Sequence, residues 1–319
     1  MQDLNEKCAN FGIFGNRESI AAKETYFRLF ALQHRGQQHS GIATTDGERL
    51  HLYKREGLVS QIYTEEIMRE LPGFAAIGHN RYSTSSGLGV EYSQPFVYEN
   101  LFALGHNGNL PSIKALEKFL KENGEETENH SDSQLMTQAI GVYMKAGNSL
   151  PDSIALCYPL FTGAFSCLVL GLDMLIGFRD PRGIRPLVLG KKGAETIIAS
   201  ETCALETVGA KFVREIEPGE IVIVTKDGIE SKKVTNVEAK FDIFEFVYFA
   251  RYDSVMMDKS VYEVRKNLGK ILAQEHKLDV DIVIPVPETA ISAAIGYSKE
   301  SGVPFEMGIS KNRYINRTF

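Results

Sequence analysis

The sequence predicts an α+β protein: stacked, largely antiparallel sheets with helices outside them up to about residue 240, then the opening of a separate α/β domain over residues 241–319. Three observations predict it. Apolar runs of strand length flank a helical middle, and they come in adjacent pairs. A near-continuous apolar run, DVDIVIPVP, reads as a strand buried on both faces in a parallel sheet. A chain of 319 residues is long enough for two domains.

The elements follow in order. Ala9 to Gly15 alternates around Phe11, Ile13 and Phe14 and reads as a strand. Next comes a helix with Ile20, Phe27, Phe30 and Ala31 near one face and Gly36 as its stop. FAAIGH (74–79) and LFALG (101–105) are short apolar runs, each leading into a polar cluster, RYSTSSG and HNGN. Ser112 opens a helix with a stripe of Ile113, Leu116, Phe119 and Leu120, stopped by Gly124. Ser131 to Gln134 forms a capping box ahead of LMTQAIGVYMKAG. From Ala164 to about Val234 the pattern is strands, the last two joined by the hairpin signal Lys226-Asp227-Gly228. After about residue 240, Val261 to His276 reads as a helix, ETAISAAIGYSKESG as a second, and VPFEMGIS as a strand, which makes a βαβ unit. A parallel sheet of two strands cannot cover itself, so the second domain reads as unfinished with an unpaired edge.

Composition sets limits. Hydrophobic residues make up 43% and charged residues 24%, with net charge −6. That balance argues against a general nucleic-acid or anionic-membrane binder. No apolar run approaches the roughly 18 to 20 residues of a membrane span, and the N-terminus lacks the pattern of a secretory signal. Cys8, Cys157, Cys167 and Cys203 are scattered, without the clustering that zinc or iron–sulfur ligation needs. A reduced, cytoplasmic protein is the expectation.

Cys8 at a strand start reads, taken alone, as a buried small hydrophobe. As a nucleophile it needs a base. Removal of MQDLNEK would give it a free α-amine, whose ordinary pKa near ~8 leaves much of it neutral at physiological pH. Asn107-Gly108 reads as a tight turn or as an oxyanion hole made of an amide side chain and a backbone N–H. Arg81 is a solvated surface residue or a bidentate carboxylate clamp. Asp132 is explained by the helix dipole, or it holds an ammonium. Arg81 and Asp132 together suit an α-amino acid, which carries one charge of each sign.

CANFGIFG, LQHRGQQHSGIAT, AIGHNRYSTSSG, QPF, ALGHNGNL, SDSQ, RDPRGIRPLVLG, ASETCALETVGA, EPGE, FEFVYFARYDS, VYEVRKNLGK, DIVIPVPET and KNRYINRTF together resemble the amidophosphoribosyltransferases, the first committed enzymes of purine synthesis. The resemblance runs from Leu4 to the end of the chain. It implies a four-layer αββα N-terminal-nucleophile sandwich over residues 8–240, behind a propeptide of residues 1–7, followed by an incomplete type I phosphoribosyltransferase-like domain. Cys8 would be the nucleophile on glutamine, with Asn107 and Gly108 as the oxyanion hole. Arg81 and Asp132 would hold the substrate carboxylate and ammonium, with Tyr82 and Thr84 on the same glutamine loop. Arg35 and Gly36 would line the nucleophile.

In the family the released ammonia displaces pyrophosphate from phosphoribosylpyrophosphate. Thr289 matches a magnesium-site position, and residues 311–319 match the start of a loop over that substrate. The acidic phosphoribosylpyrophosphate motif is not found in this sequence. Full transferase activity, magnesium binding and stimulation by phosphoribosylpyrophosphate are therefore not expected without a complementing chain. Asp242 and Ile243 stand near a family cluster-ligand position, so no iron–sulfur cluster is expected. A homo-oligomer is expected from the family. Ala9-Asn10, Gln134, Tyr252 and Ile315-Asn316 depart from the usual pattern. The alternative expectation is a non-catalytic glutamine-binding or partner-binding module, or a fragment of the full-length enzyme.

Overall fold

The computed structural model describes residues 8–16, 20–82, 89–207 and 209–312. The expected propeptide 1–7, Thr84 and residues 313–319 lie outside the described residues. The chain divides into two compact units, one ending at Phe241 and the other beginning at Asp242.

In the first unit the strands are β1 (Ala9–Phe14), β2 (His39–Thr45), β3 (Leu50–Glu56), β4 (Ala75–Arg81), β5 (Phe96–Tyr98), β6 (Phe102–Asn109), β7 (Ala164–Gly171), β8 (Leu175–Arg179), β9 (Val188–Lys192), β10 (Glu195–Ala199), β11 (Lys211–Glu215), β12 (Glu220–Thr225) and β13 (Gly228–Lys233). The helices are α1 (Ala21–Ala31), α2 (Val59–Ile62), α3 (Glu65–Arg69), α4 (Lys114–Glu122), α5 (Asp132–Lys145), α6 (Leu150–Cys157) and α7 (Cys203–Glu206). Among the described residues one sheet has the order β11-β9-β10-β1-β4-β2-β3 and the other β13-β12-β8-β7-β6-β5. Neighbours pair antiparallel, as in the registers of β1 on β4 and β10 and of β6 on β7. The β12–β13 hairpin turns at Lys226-Asp227, as the sequence predicts.

Period-2 alternation explains the stacking. Phe11 and Ile13 face α1 and α7 in one apolar cluster with Leu29, Ala204 and Leu205. Phe14, Ala75 and Ile77 of the first sheet meet Ala103, Leu168, Leu175 and Val222 of the second. Leu104, Val169 and Ile176 on the far face of the second sheet pack under Leu116, Met136, Ile140 and Ile154 of α4 to α6. The order of layers is helix, sheet, sheet, helix.

One expectation is corrected in α1. Its inner face is Ala21, Ala22, Thr25, Arg28, Leu29 and Ala31, while Ile20, Phe27 and Phe30 are 62%, 44% and 55% exposed. The reason is close approach to β4. A Cβ on Gly78 would lie 2.5 Å from Thr25 Cγ2 and 2.7 Å from Leu29 Cδ1, so small residues face the sheet and the aromatic stripe turns outward.

Polar groups interrupt the apolar layer between the sheets. The Asn10 side chain donates to Gly105 O at 3.3 Å and to Ser166 O at 3.0 Å, tying β1 to β6 and β7. His79 Nε2–H donates to His106 O at 3.1 Å, tying β4 to β6. Burial pushes the His79 imidazole down to about 3, with the nearby Arg81, His106 and His39 adding to the effect against its bond to His106.

The second unit contains α8 (Val261–Glu275) and α9 (Ile291–Ser301). They pack so closely that a Cβ on Gly269 would meet Ala293 O at 1.8 Å and one on Gly296 would meet Lys266 O at 2.0 Å. Ser260 Oγ caps α8 by accepting from Glu263 N–H at 3.4 Å, and Gly302 ends α9 with φ +76°. The two strands expected around α9 are reduced to one parallel bridge, Val283 with Phe305, held by Val283 N–H to Pro304 O at 2.8 Å and Glu306 N–H to Val283 O at 3.0 Å. The pairing direction is the expected one. Its shortness has a physical cause: a parallel ladder is sustained by burial on both faces, whereas Ile282, Ile284, Val286 and Met307 stay exposed.

The polar ties generate two predictions. His79 is held below its ordinary value of 6.5, so the folded protein binds fewer protons than the unfolded chain between pH 6.5 and about 3. Its contribution to stability is whole above pH 6.5 and falls with pH below it, by about 1.4 kcal/mol per unit for one proton. Urea unfolding at a series of pH values from 7.5 to 4.5 will show this loss, and His79→Gln will make the slope shallower by about that amount. Asn10→Ala leaves two buried carbonyls without their donor and will lower stability by about 1–3 kcal/mol in the same assay at pH 7.5.

Candidate active site

Cys8 stands one residue before β1, buried at 8% exposure. It lines one pocket with Arg81, Tyr82, Gly108 and Asp132, together with Tyr92, Gln94, His106, Ser131 and Ser133. The pocket lies where β1, β4, β6 and the first turn of α5 meet. The antiparallel register sets Ala9 beside Asn80, so the Cys8 end of β1 adjoins the Arg81 end of β4.

Arg81 is buried, with its guanidinium 5.6 Å from the Tyr92 ring centre and Nη1 3.4 Å from His39 Nδ1. Burial pulls it below its ordinary value, and Cys8, Asp132, Tyr92 and Glu91 pull it back up. Asp132, in the same pocket, is held by the helix start. Its Oδ1 accepts from Ser133 N–H at 2.7 Å and its Oδ2 from Leu110 N–H at 3.2 Å. The predicted capping box is present: Ser131 N–H donates to Gln134 Oε1 at 2.9 Å and Gln134 N–H to Ser131 Oγ at 3.3 Å. The pocket is thus lined by both a cation and a carboxylate.

Asn107 and Gly108 sit near the end of β6, opposite Ser166 and Phe165. Asn107 is buried, and its Nδ2 has no hydrogen-bond partner among the described residues. An unmade bond on a buried amide is costly, and a substrate oxygen would satisfy it. Gly108 is required by space: a Cβ there would fall 2.2 Å from Ala164 O and 2.8 Å from His106 Nε2.

Arg35 and Gly36 follow α1, Arg35 beside Cys8 and Gly36 beside the end of β4. Arg35 Nε donates to Cys8 O at 3.3 Å. A Cβ on Gly36 would meet the Asn80 carbonyl at 2.6 Å and Arg81 C at 2.8 Å, so only glycine lets this loop lie against the end of β4. Thr84 lies outside the described residues. Thr289 stands in the second unit, half-buried in the turn before α9. Among the described residues no group of three or more His, Cys, Asp or Glu is placed to hold a metal ion. Glu288 is its neighbour in that turn and is exposed.

Four pocket residues escape the reading of the sequence. Gln94 Oε1 accepts from His106 N–H at 2.6 Å, and Gln94 Nε2 donates to Ser133 Oγ at 3.3 Å. Ser133 Oγ also lies 2.9 Å from His106 Nδ1 and donates to Asp132 Oδ1 at 3.2 Å. Tyr92 underlies Arg81. The signal available for Gln94 and His106 is their place inside QPF and GHNGN; Ser133 looks like a helix-start residue, and nothing local marks Tyr92.

The glutamine amidotransferase domain profile matches residues 79–207. The amidophosphoribosyltransferase of Methanocaldococcus jannaschii is 41% identical, over 98% of this chain and 70% of that protein. Those of Bacillus subtilis and Synechocystis are 40% and 42% identical, over 67% and 65% of their lengths. The chain therefore spans about two thirds of these curated relatives. The structure titled as the allosteric regulatory enzyme of purine biosynthesis superposes with a TM-score of 0.91 at 40% identity, over 98% of this chain and 67% of that one. The Bacillus subtilis glutamine phosphoribosylpyrophosphate amidotransferase, solved with ADP and GMP, gives 0.89 at 39% identity, over 98% and 68%. In fold and in sequence over nearly its whole length, this chain belongs to the amidophosphoribosyltransferase family.

Proposed function

We propose that this chain hydrolyses glutamine to glutamate and ammonia through Cys8, freed as the N-terminal residue by loss of residues 1–7, and that the ammonia serves phosphoribosylamine formation from phosphoribosylpyrophosphate in purine synthesis. The observation that carries the reading is the pocket itself: a thiol, a cation, a carboxylate and an oxyanion-type glycine on its walls, with an unpaired buried amide beside it.

The steps follow from the groups present. Arg81 and Asp132 take the substrate α-carboxylate and α-ammonium, which aims the side-chain amide at Cys8. The Cys8 α-amine accepts the thiol proton as Sγ adds to the amide carbon. Asn107 Nδ2 and the Gly108 N–H stabilise the oxyanion. The α-amine returns the proton to the leaving nitrogen, the C–N bond breaks, and ammonia departs from a γ-glutamyl thioester. Water, deprotonated by the same amine, adds to the thioester carbon, and collapse restores the thiol and yields glutamate.

The exposed Ile282, Ile284, Val286 and Met307 favour a second reading for the second unit, as a surface on which further α/β structure packs, in cis or in trans. In the family that structure completes the phosphoribosyl-transfer half, so it is where the ammonia would be used.

Intact mass of the purified chain will show Cys8 as the first residue, and glutamate release from glutamine will vanish in Cys8→Ala. An uncleaved chain with no Cys8-dependent glutamate release overturns the reading. Asn107→Leu will lower kcat by about 10²–10³-fold, as expected for loss of one oxyanion donor, with KM little changed. Arg81→Lys will act on KM instead, raising it by about tenfold, because an ammonium cannot replace a bidentate guanidinium.

A further inference from the structure

The segment ASETCAL (199–205) is left without a role by the pocket, yet it contains a carboxylate buried in the protein interior. Glu201 is 1% exposed. Its Oε1 accepts from Arg35 Nη1 at 2.8 Å and from His34 Nε2 at 2.8 Å. Its Oε2 accepts from the Cys203 thiol at 3.6 Å. Arg35 is equally buried, at 1% exposure, and its Nε donates to Cys8 O at 3.3 Å. The preceding residue grips the same strand: Ser200 N–H donates to Asn10 O at 3.0 Å, and Asn10 N–H donates to Ser200 Oγ at 2.9 Å.

We propose that Glu201 is a positioning residue for the nucleophile: its buried carboxylate orients Arg35, and Arg35 holds the main chain of Cys8. Three points carry this. The contacts run in series from Glu201 to Arg35 to Cys8, across 166 and then 27 residues of sequence. A guanidinium has a planar fork of donors, so fixing Nη1 on a carboxylate also fixes the direction of Nε. Glu201 follows β10, which pairs with β1 directly, and Ser200 beside it is bonded to Asn10 of β1 in both directions, so the carboxylate is fixed relative to the strand that Cys8 precedes.

A plainer role, in which Glu201 only neutralises a buried arginine, would alter the amount of folded protein and the Cys8 alkylation midpoint and leave kcat per folded active site unchanged. The proposal rests on the glutaminase reading for its kinetic arm alone. The test uses the full chain carrying Glu201→Gln, which keeps the side-chain shape and removes the charge. Glutamate release is expressed per Cys8 thiol titrated with iodoacetamide, and the pH–rate profile of Cys8 alkylation is read by mass spectrometry of the Cys8 peptide.

The expected result is a fall in kcat of at least tenfold per titrated Cys8 with KM within twofold. The alkylation midpoint should move to lower pH by half a unit or more, as Arg35 loses its counter-charge. Wild-type kcat per titrated Cys8, or a loss confined to KM or to folded protein, overturns the proposal. If the wild-type chain turns over no glutamine, the glutaminase reading fails by itself, and an unmoved alkylation profile is then what overturns the role of Glu201. Should Glu201→Gln not accumulate, Arg35→Lys tests the same link. It keeps a cation for Glu201 and loses the Nε–H to Cys8 O, so wild-type kcat in that variant also overturns the proposal.

Discussion

Hydrogen bonds across an otherwise aliphatic sheet-to-sheet layer fix everything that matters at the pocket. Asn10 binds the carbonyls of Gly105 and Ser166, and His79 binds that of His106. A buried donor without an acceptor is far more costly than a made bond is favourable. The sheets therefore cannot slide or rotate by the distance of even one residue without losing these pairs. That matters because Cys8 and Arg81 belong to one sheet while Asn107 and Gly108 belong to the other. Aliphatic contacts alone would hold the sheets together but would leave their registry soft.

The charges of the pocket are arranged with the same economy. Arg81 and Asp132 line a common space, with Tyr92 beneath the guanidinium and backbone N–H groups on the carboxylate. In the proposed function an α-amino acid places its carboxylate toward Arg81 and its ammonium toward Asp132. Behind Cys8 the pairing is closed instead, with Arg35 already matched to Glu201.

How much of this could be read from residues alone varies with the element. Strands β1, β7 to β10 and β12 announced themselves by apolar runs, and β13 by the turn chemistry of the hairpin at Lys226-Asp227. Strands β2 and β3 did not: HSGIATT and LHLYKRE are polar enough to pass for loop, and only pairing with β4 makes them strands. The aromatic stripe of α1 misled, because the close approach at Gly78 rewards small side chains over large ones. At the pocket, Cys8, Arg81, Gly108 and Asp132 were legible through their motifs, and the structure places them together. Gln94, Tyr92 and Glu201 were not, since their roles are made by contacts across dozens to hundreds of residues.

The buried histidines sharpen what the proposed chemistry asks of residues 1–7. His39 Nδ1 accepts from Arg81 and so has no lone pair to spare on that nitrogen. His79 donates through Nε2 and is pushed down to about 3. His106 is pushed down by burial, against the pull of Asp132. A base that weak is mismatched to a thiol, whose ordinary acidity lies far above it. An α-amine on Cys8 is matched to within about one unit. Joined to Lys7, the same nitrogen is an amide and no base at all. In this reading the leader keeps the nucleophile inactive by occupying the nitrogen assigned to the task.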